Sequence, residues 1–290
     1  MATTLTQAES FSIELLGPTV GAEIKGLDLR YELNDDTVAR LRQVWGQHSV
    51  LLFRDQDLSE DDQFRFAGYF GPIADRVKPL RDLDRHRADP TNRMQLITDR
   101  LDDEGRPAGS LGHGGMWFHT DKCYVEKPHR ASLLYALELP STGGHTLFAS
   151  LYEAHDRLEP ELRARLQDRK VLQVYDYTKE TALDLASSLD GVLNHWQPAL
   201  LANPDSDRVA LYVCRLMTIA IEGLEKDESD GLLEELIDLI EAPDNIYEHE
   251  WRFGDLIMWD NLSAVHARTD WPNDEPRSLR RCTIQGGCLT

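Results

Sequence analysis

A histidine and a carboxylate stand two residues apart in Trp117-Phe118-His119-Thr120-Asp121, just after the glycines Gly112, Gly114 and Gly115. On a strand, residues i and i+2 share a face, so His119 and Asp121 could grip one ion together. A third ligand has to come from far along the chain. The candidate is His266, in Trp259-Asp260-Asn261-Leu262-Ser263-Ala264-Val265-His266, which follows the apolar run Leu256-Ile257-Met258. Two histidines and a carboxylate on one face of a metal leave its other positions open, which suits Fe(II) oxygen chemistry. The same three ligands on zinc would make a metallohydrolase.

These residues need a rigid frame, and the patterning predicts one rich in strands. Residues 11–30 alternate apolar and polar positions around turns at Gly17-Pro18 and Gly26, as two short strands would. Asn34 caps a helix carrying Val38, Leu41, Val44 and Trp45 on one face. Ser49 to Phe53 reads as a buried strand. Ser59 with Asp62 reads as a capping box opening a helix that ends at Gly71-Pro72. Strands are expected at Met94–Thr98, through Ser132–Leu137, at His145–Phe148, at Val209–Val213, and near 249–253, 255–260 and 278–286. Ser150 with Glu153 and the early Pro160 open two further helices, and Asp230 to Ile240 is amphipathic. Many strands with a few helices predict one α+β domain over 1–290 with a double-sheet β-core, as in a jelly roll. Loop insertions are expected near 75–116 and 176–198.

Composition narrows the partners. A net charge of -20 argues against nucleic acid or an anionic membrane. No run approaches the ~18–20 apolar residues of a membrane span. The four cysteines (Cys123, Cys214, Cys282, Cys288) form no CxxC pair and read as free thiols. With no basic or apolar leader at the N-terminus, a cytoplasmic protein is expected.

The motif order is H-x-D, then Thr142-Gly143-Gly144-His145-Thr146, then Trp259-Asp260-Asn261 leading to His266, then Arg277-Ser278-Leu279-Arg280-Arg281. In this order and spacing the chain resembles the taurine/2,4-dichlorophenoxyacetate dioxygenase family of Fe(II)- and 2-oxoglutarate-dependent oxygenases. The likeness runs from Gly21-Ala22-Glu23-Ile24-Lys25-Gly26-Leu27-Asp28-Leu29 through Phe70-Gly71-Pro72 to Arg281-Cys282-Thr283-Ile284. It implies a double-stranded β-helix with flanking helices, with Fe(II), 2-oxoglutarate and O2 as cofactor and cosubstrates. It further implies that His119, Asp121 and His266 hold the iron, that Thr146 and Arg277 bind 2-oxoglutarate, and that Arg281 meets an acidic group of the substrate. The implied reaction releases succinate and CO2 while oxidising, most simply hydroxylating, a C–H bond of a small anionic molecule. A homo-oligomer is compatible with the resemblance.

Strand alternation supports the two arginine roles, since Arg277, Leu279, Arg281 and Thr283 would share one face. A guanidinium offers a bidentate grip on a carboxylate and keeps its charge when partly buried. The chain departs from the taurine enzymes at Gly115, Lys122 and Met217, which implies another substrate. Lys122, Met217 and the loop residue His113 are further candidates for substrate contact.

Overall fold

The computed structural model describes residues 10–75, 94–175 and 189–289. In chain order the first elements are β1 (Ser12–Leu15), β2 (Ala22–Lys25), α1 (Asp35–His48), β3 (Val50–Phe53) and α2 (Glu60–Gly68). Then come β4 (Gln95–Thr98), β5 (Met116–His119), β6 (Ala131–Glu138), β7 (Thr146–Ser150), α3 (Leu151–Asp156) and α4 (Pro160–Leu166). A peripheral group follows: β8 (Lys170–Val174), β9 (Asn194–Pro198), β10 (Leu200–Ala202), β11 (Val209–Leu211), β12 (Thr218–Ile221) and α5 (Lys226–Ile240). The chain closes with β13 (Ile246–His249), β14 (Leu256–Asp260), β15 (Ala264–Arg268) and β16 (Ser278–Ile284).

Two sheets make the core. The larger runs β1-β2-β3-β14-β6-β16-β4 and the smaller β13-β7-β15-β5. Within them only the β2–β3 pairing is parallel. Both sheets therefore interleave early and late strands, as a double-stranded β-helix does. Smaller sheets, β12-β8-β9 and β10-β11, lie outside this core.

The period-2 pattern of β14 shows why the larger sheet is buried on both faces. Leu256 and Met258 face outward with Leu51, Phe53, Leu133 and Tyr135, where α1 and α2 cover them through Val38, Leu41, Trp45 and Phe66. Ile257 and Trp259 face inward with Leu52, Leu134 and Leu279, against Phe148 and Ala264 of the smaller sheet. Each such side chain is worth about 1.5–3 kcal/mol when fully withdrawn from water. Behind the smaller sheet, Val265 and Ala267 meet Leu151, Leu232 and Leu236 of α3 and α5.

Capping follows the expected chemistry. The Asn34 side chain accepts from Thr37 N, and Ser59 and Asp62 exchange both bonds of a capping box. Other expectations shift. The expected strand near 249–253 lies earlier, at β13, because Trp251 to Asp255 turn the chain into β14. The expected insertion at 176–198 contains β9, which pairs with β8, while 176–188 lie outside the described residues, as do 76–93 of the expected 75–116 loop. The short strands β8 to β12 carry no long alternation and are fixed by their neighbours. Among the described residues no helix is long and apolar enough to cross a membrane.

Candidate metal centre and active site

His119 ends β5, and His266 sits directly opposite it on β15, so ladder register alone brings together two histidines 147 positions apart. Asp121 lies past the end of β5, in a turn where Lys122 takes φ 59°. The carboxylate thus reaches the histidines from a turn rather than from a continuing strand. All three groups are buried, and their ligand atoms lie within 4.8 Å of one another.

The end of β14, Trp259-Asp260, and Asn261 in the turn after it orient this group. Thr120 Oγ1 donates to the Asn261 carbonyl at 2.6 Å, Asp121 N donates to Asn261 Oδ1 at 3.4 Å, and Trp259 Nε1 donates to the same oxygen at 2.9 Å. Asn261 Nδ2 donates to Ser132 Oγ, whose proton goes to Asp121 Oδ2. The Trp259 ring also packs on His266, with centroids 4.6 Å apart. Asp260 is fully buried and holds Arg130 and Asn203.

The donor set fits a divalent metal. His119 Nδ1 meets the Trp117 carbonyl at 2.8 Å, which places the proton there and makes Nε2 the basic nitrogen. His266 Nδ1 is buried with no hydrogen-bond partner among the described residues. Desolvation lowers both imidazole pKa values, so both rings are neutral ligands at pH 7. Burial opposes the charge on Asp121, but Arg281, the two histidines and the Ser132 hydroxyl outweigh it and hold the carboxyl well below its usual range.

His119, Asp121 and His266 line a cavity open to solvent, together with Thr146, Arg268, Arg277 and Arg281. Its apolar wall includes Ile97, Leu111, Met116 and Leu134. Arg277 is 2% exposed; its Nε donates to the Gly144 carbonyl at 2.8 Å, and no carboxylate among the described residues forms an ion pair with its guanidinium. Burial, then the charge of Arg268, pushes Arg277 down to about 9. Such a group is short of an anion, which fits a dicarboxylate cosubstrate. Gly143 and Gly144 make this approach possible. Both have positive φ, and a Cβ on Gly144 would come within 2.9 Å of Arg277 Cδ.

Strand alternation places Arg281 toward the cavity, where it pairs with Asp121 Oδ2. Arg280 points the other way, to Gln63 and the carbonyls of Leu58 and Ser59. Lys122 is partly buried outside the cavity lining, and burial, then Arg281, lowers its amine to about 8. Beside it His129, unnoticed in the sequence, has a buried Nδ1 without a partner among the described residues. His113 is exposed and away from the lining; its ring lies on Trp271 at 4.4 Å and its Nε2 meets the Trp271 carbonyl. Met217 is fully buried in the core behind the smaller sheet, where Cys123 Sγ donates to its sulfur. It faces packing, not the cavity, because β12 and its preceding turn lie outside the two-sheet core.

Arg268 escaped sequence reasoning although it stands two residues after His266, on the same strand face. Its Nε and Nη2 donate to the carbonyls of Gly114 and Leu111, tying the glycine-rich lip to β15.

The family profile described as "Taurine catabolism dioxygenase TauD, TfdA family" matches residues 12–283. The (S)-phenoxypropionate/alpha-ketoglutarate-dioxygenase of Sphingobium herbicidovorans is 29% identical over 286 residues, covering 96% of each chain. Pentalenolactone F synthase of Streptomyces avermitilis is 32% identical over 283 residues, covering 91% of this chain and 90% of that one. A crystal structure of a taurine dioxygenase from Burkholderia xenovorans superposes with a TM-score of 0.79 at 26% identity, over 97% of this chain and 91% of that one.

Proposed function

The chain belongs to the taurine catabolism dioxygenase TauD, TfdA family, and from that membership we propose a residue-level account of its reaction. It is an Fe(II)- and 2-oxoglutarate-dependent dioxygenase acting on a small molecule. The bound iron, with 2-oxoglutarate and O2, supplies the oxidative decarboxylation to succinate and CO2 that drives substrate oxidation. The observation that carries the account is a buried His119/Asp121/His266 group sharing one cavity with Arg277, whose guanidinium forms no ion pair with a carboxylate among the described residues.

In this reading His119, Asp121 and His266 hold the metal, and Ser132 and Asn261 fix the carboxylate. Arg277 and the Thr146 hydroxyl bind the far carboxylate of 2-oxoglutarate. Arg281 pairs with Asp121 in the structure. With Asp121 engaged by a metal, Arg281 becomes the cation facing the substrate, and Lys122 adds to its field. The substrate is then an amphiphilic anion: a carboxylate or similar group toward Arg281, and an apolar body against Ile97, Leu111, Met116 and Leu134. The named activity of the (S)-phenoxypropionate relative has this chemistry. Asp121 fills a ligand position with a carboxylate, which favours hydroxylation as the outcome. The zinc-hydrolase alternative gains no support, because it gives Arg277 and Thr146 nothing to bind.

The test is an anaerobic titration of metal-free protein with Fe(II) and 2-oxoglutarate, watching the weak visible charge-transfer band of the chelate. A saturable band in the wild type that disappears in His119→Ala is expected. Normal succinate production by His119→Ala would refute the metal assignment. For the substrate, aryloxy acids should perturb the band while their methyl esters do not; equal responses would remove the anionic requirement.

A further inference from the structure

Thr146 has a hydroxyl with one proton and two lone pairs, and it is buried at 3% exposure on the cavity wall. Trp251 Nε1 lies 3.0 Å from Thr146 Oγ1. An indole N–H can only donate, so this contact obliges the threonine oxygen to accept. The hydroxyl proton is left over, and no acceptor for it exists among the described residues. A buried hydroxyl proton without an acceptor costs free energy unless a ligand receives it.

We propose that Trp251 is a positioning residue: its indole N–H fixes the Thr146 hydroxyl as a donor aimed at the cosubstrate's distal carboxylate. Without the indole N–H, the hydroxyl rotates among orientations and spends part of its population with the lone pairs toward the anion. The indole itself is held in place. The ring of His249, fully buried, stands edge-on to it with centroids 4.5 Å apart. His249 Nδ1 meets Tyr247 Oη at 3.0 Å, and Asp255 lies 3.2 Å from its Nε2. Asp255 is anchored in turn by Arg54 and by the Arg252 backbone N–H. His249 is also the ladder partner of Thr146, so the end of β13 brings the segment just beyond it, where Trp251 stands, to the start of β7. Trp251 touches no cosubstrate; it acts through Thr146. The inference rests on the reading of Thr146 given above, and the experiment separates the two.

The dissociation constant of 2-oxoglutarate is measured from the anaerobic Fe(II) chelate band in wild type, Thr146→Val, Trp251→Phe and the double variant. Pyruvate, a 2-oxo acid with no distal carboxylate, is the control ligand. Thr146→Val should weaken 2-oxoglutarate by about tenfold or more, the range for a hydrogen bond to a charged group. Trp251→Phe should weaken it by about three- to tenfold, and the double variant should be no weaker than Thr146→Val alone. Pyruvate affinity should stay unchanged throughout. Additive losses, an unaffected Trp251→Phe, or an equal loss for pyruvate would overturn the positioning role while leaving Thr146 in place. An unaffected Thr146→Val would overturn the reading of Thr146 and this inference with it.

A readout in the unaltered Trp251 chain guards against a variant that does not fold. In 15N-labelled protein loaded with Zn(II) and 2-oxoglutarate, the Trp251 indole proton should exchange slowly with water, and should exchange faster in Thr146→Val. Equal exchange in both proteins would also overturn the proposal.

Discussion

Asn261 shows how much of the metal centre is decided one atom at a time. Its Oδ1 accepts from the backbone N–H of Asp121 and from Trp259, and its Nδ2 donates to the Ser132 hydroxyl that binds the Asp121 carboxylate. Asn261→Ala should leave the fold intact and weaken Mn(II) or Fe(II) binding by about 10–100-fold, the usual effect of losing a group that orients a ligand. A metal titration by calorimetry checks this, and unchanged affinity would contradict it. The thiols give a second residue-level test. Cys288 is exposed, whereas Cys282 is buried and its thiol is pushed up to about 12 by desolvation. Burial also pushes the Cys123 thiol well up. A thiol-specific reagent at neutral pH should label Cys288 rapidly and leave Cys123 and Cys282 intact until the protein unfolds.

At the scale of elements, the turn between β6 and β7 is the feature least tolerant of change. Gly143 has φ 70°, and a Cβ there would lie 2.2 Å from the Asp270 carbonyl oxygen. Gly144 N donates to that same carbonyl, and the Gly144 carbonyl receives Arg277 Nε. Gly143→Ala should therefore cost about 2 kcal/mol or more of stability, through backbone strain and a clash with main chain. It should also raise the KM for 2-oxoglutarate, because the turn carries the Arg277 contact. Urea unfolding and steady-state kinetics read the two effects. By comparison, Ser59→Ala should cost about 1 kcal/mol through loss of the α2 capping box. It should leave kinetics alone if the cap has no role beyond the helix.

For the molecule as a whole, buried and half-buried histidines set the response to acid. His48, His119, His129, His249 and His266 all have pKa values lowered chiefly by desolvation, His129 to about 3. The unfolded chain takes up protons on these rings below about pH 6.5 while the folded chain does not. Stability is therefore full above that pH and falls as the pH drops through it, by up to about 1.4 kcal/mol per unit for each ring that stays neutral. The net charge of -20 works the other way, since acid relieves self-repulsion, but salt screens that term. At physiological ionic strength, metal-free protein should lose stability between pH 7 and 5.5. A flat urea midpoint over that range would show that charge relief offsets the histidines.

Much of this protein is written in local sequence. Asn34 and Ser59 announce their helices because capping depends on residues three positions apart. The alternation of Leu256 to Trp259 announces a strand buried on both faces, because successive side chains must leave opposite sides of it. The spaced motifs around His119, Thr146, His266 and Arg277 name groups that one cavity does bring together. Tertiary structure decided the rest. The pairing of His266 opposite His119 depends on ladder register between distant strands, which neither strand specifies alone. Arg268 and His129 gain their settings from loops and turns that only packing brings near them. The family resemblance marked Met217, and its place in the glycine-rich loop beside the H-x-D stretch marked His113, as candidates for substrate contact, but a two-sheet fold ranks neighbours by strand and face. That geometry turned Met217 into core and His113 toward Trp271. It also set the indole of Trp251 against Thr146, a contact across 105 residues that no local pattern carries.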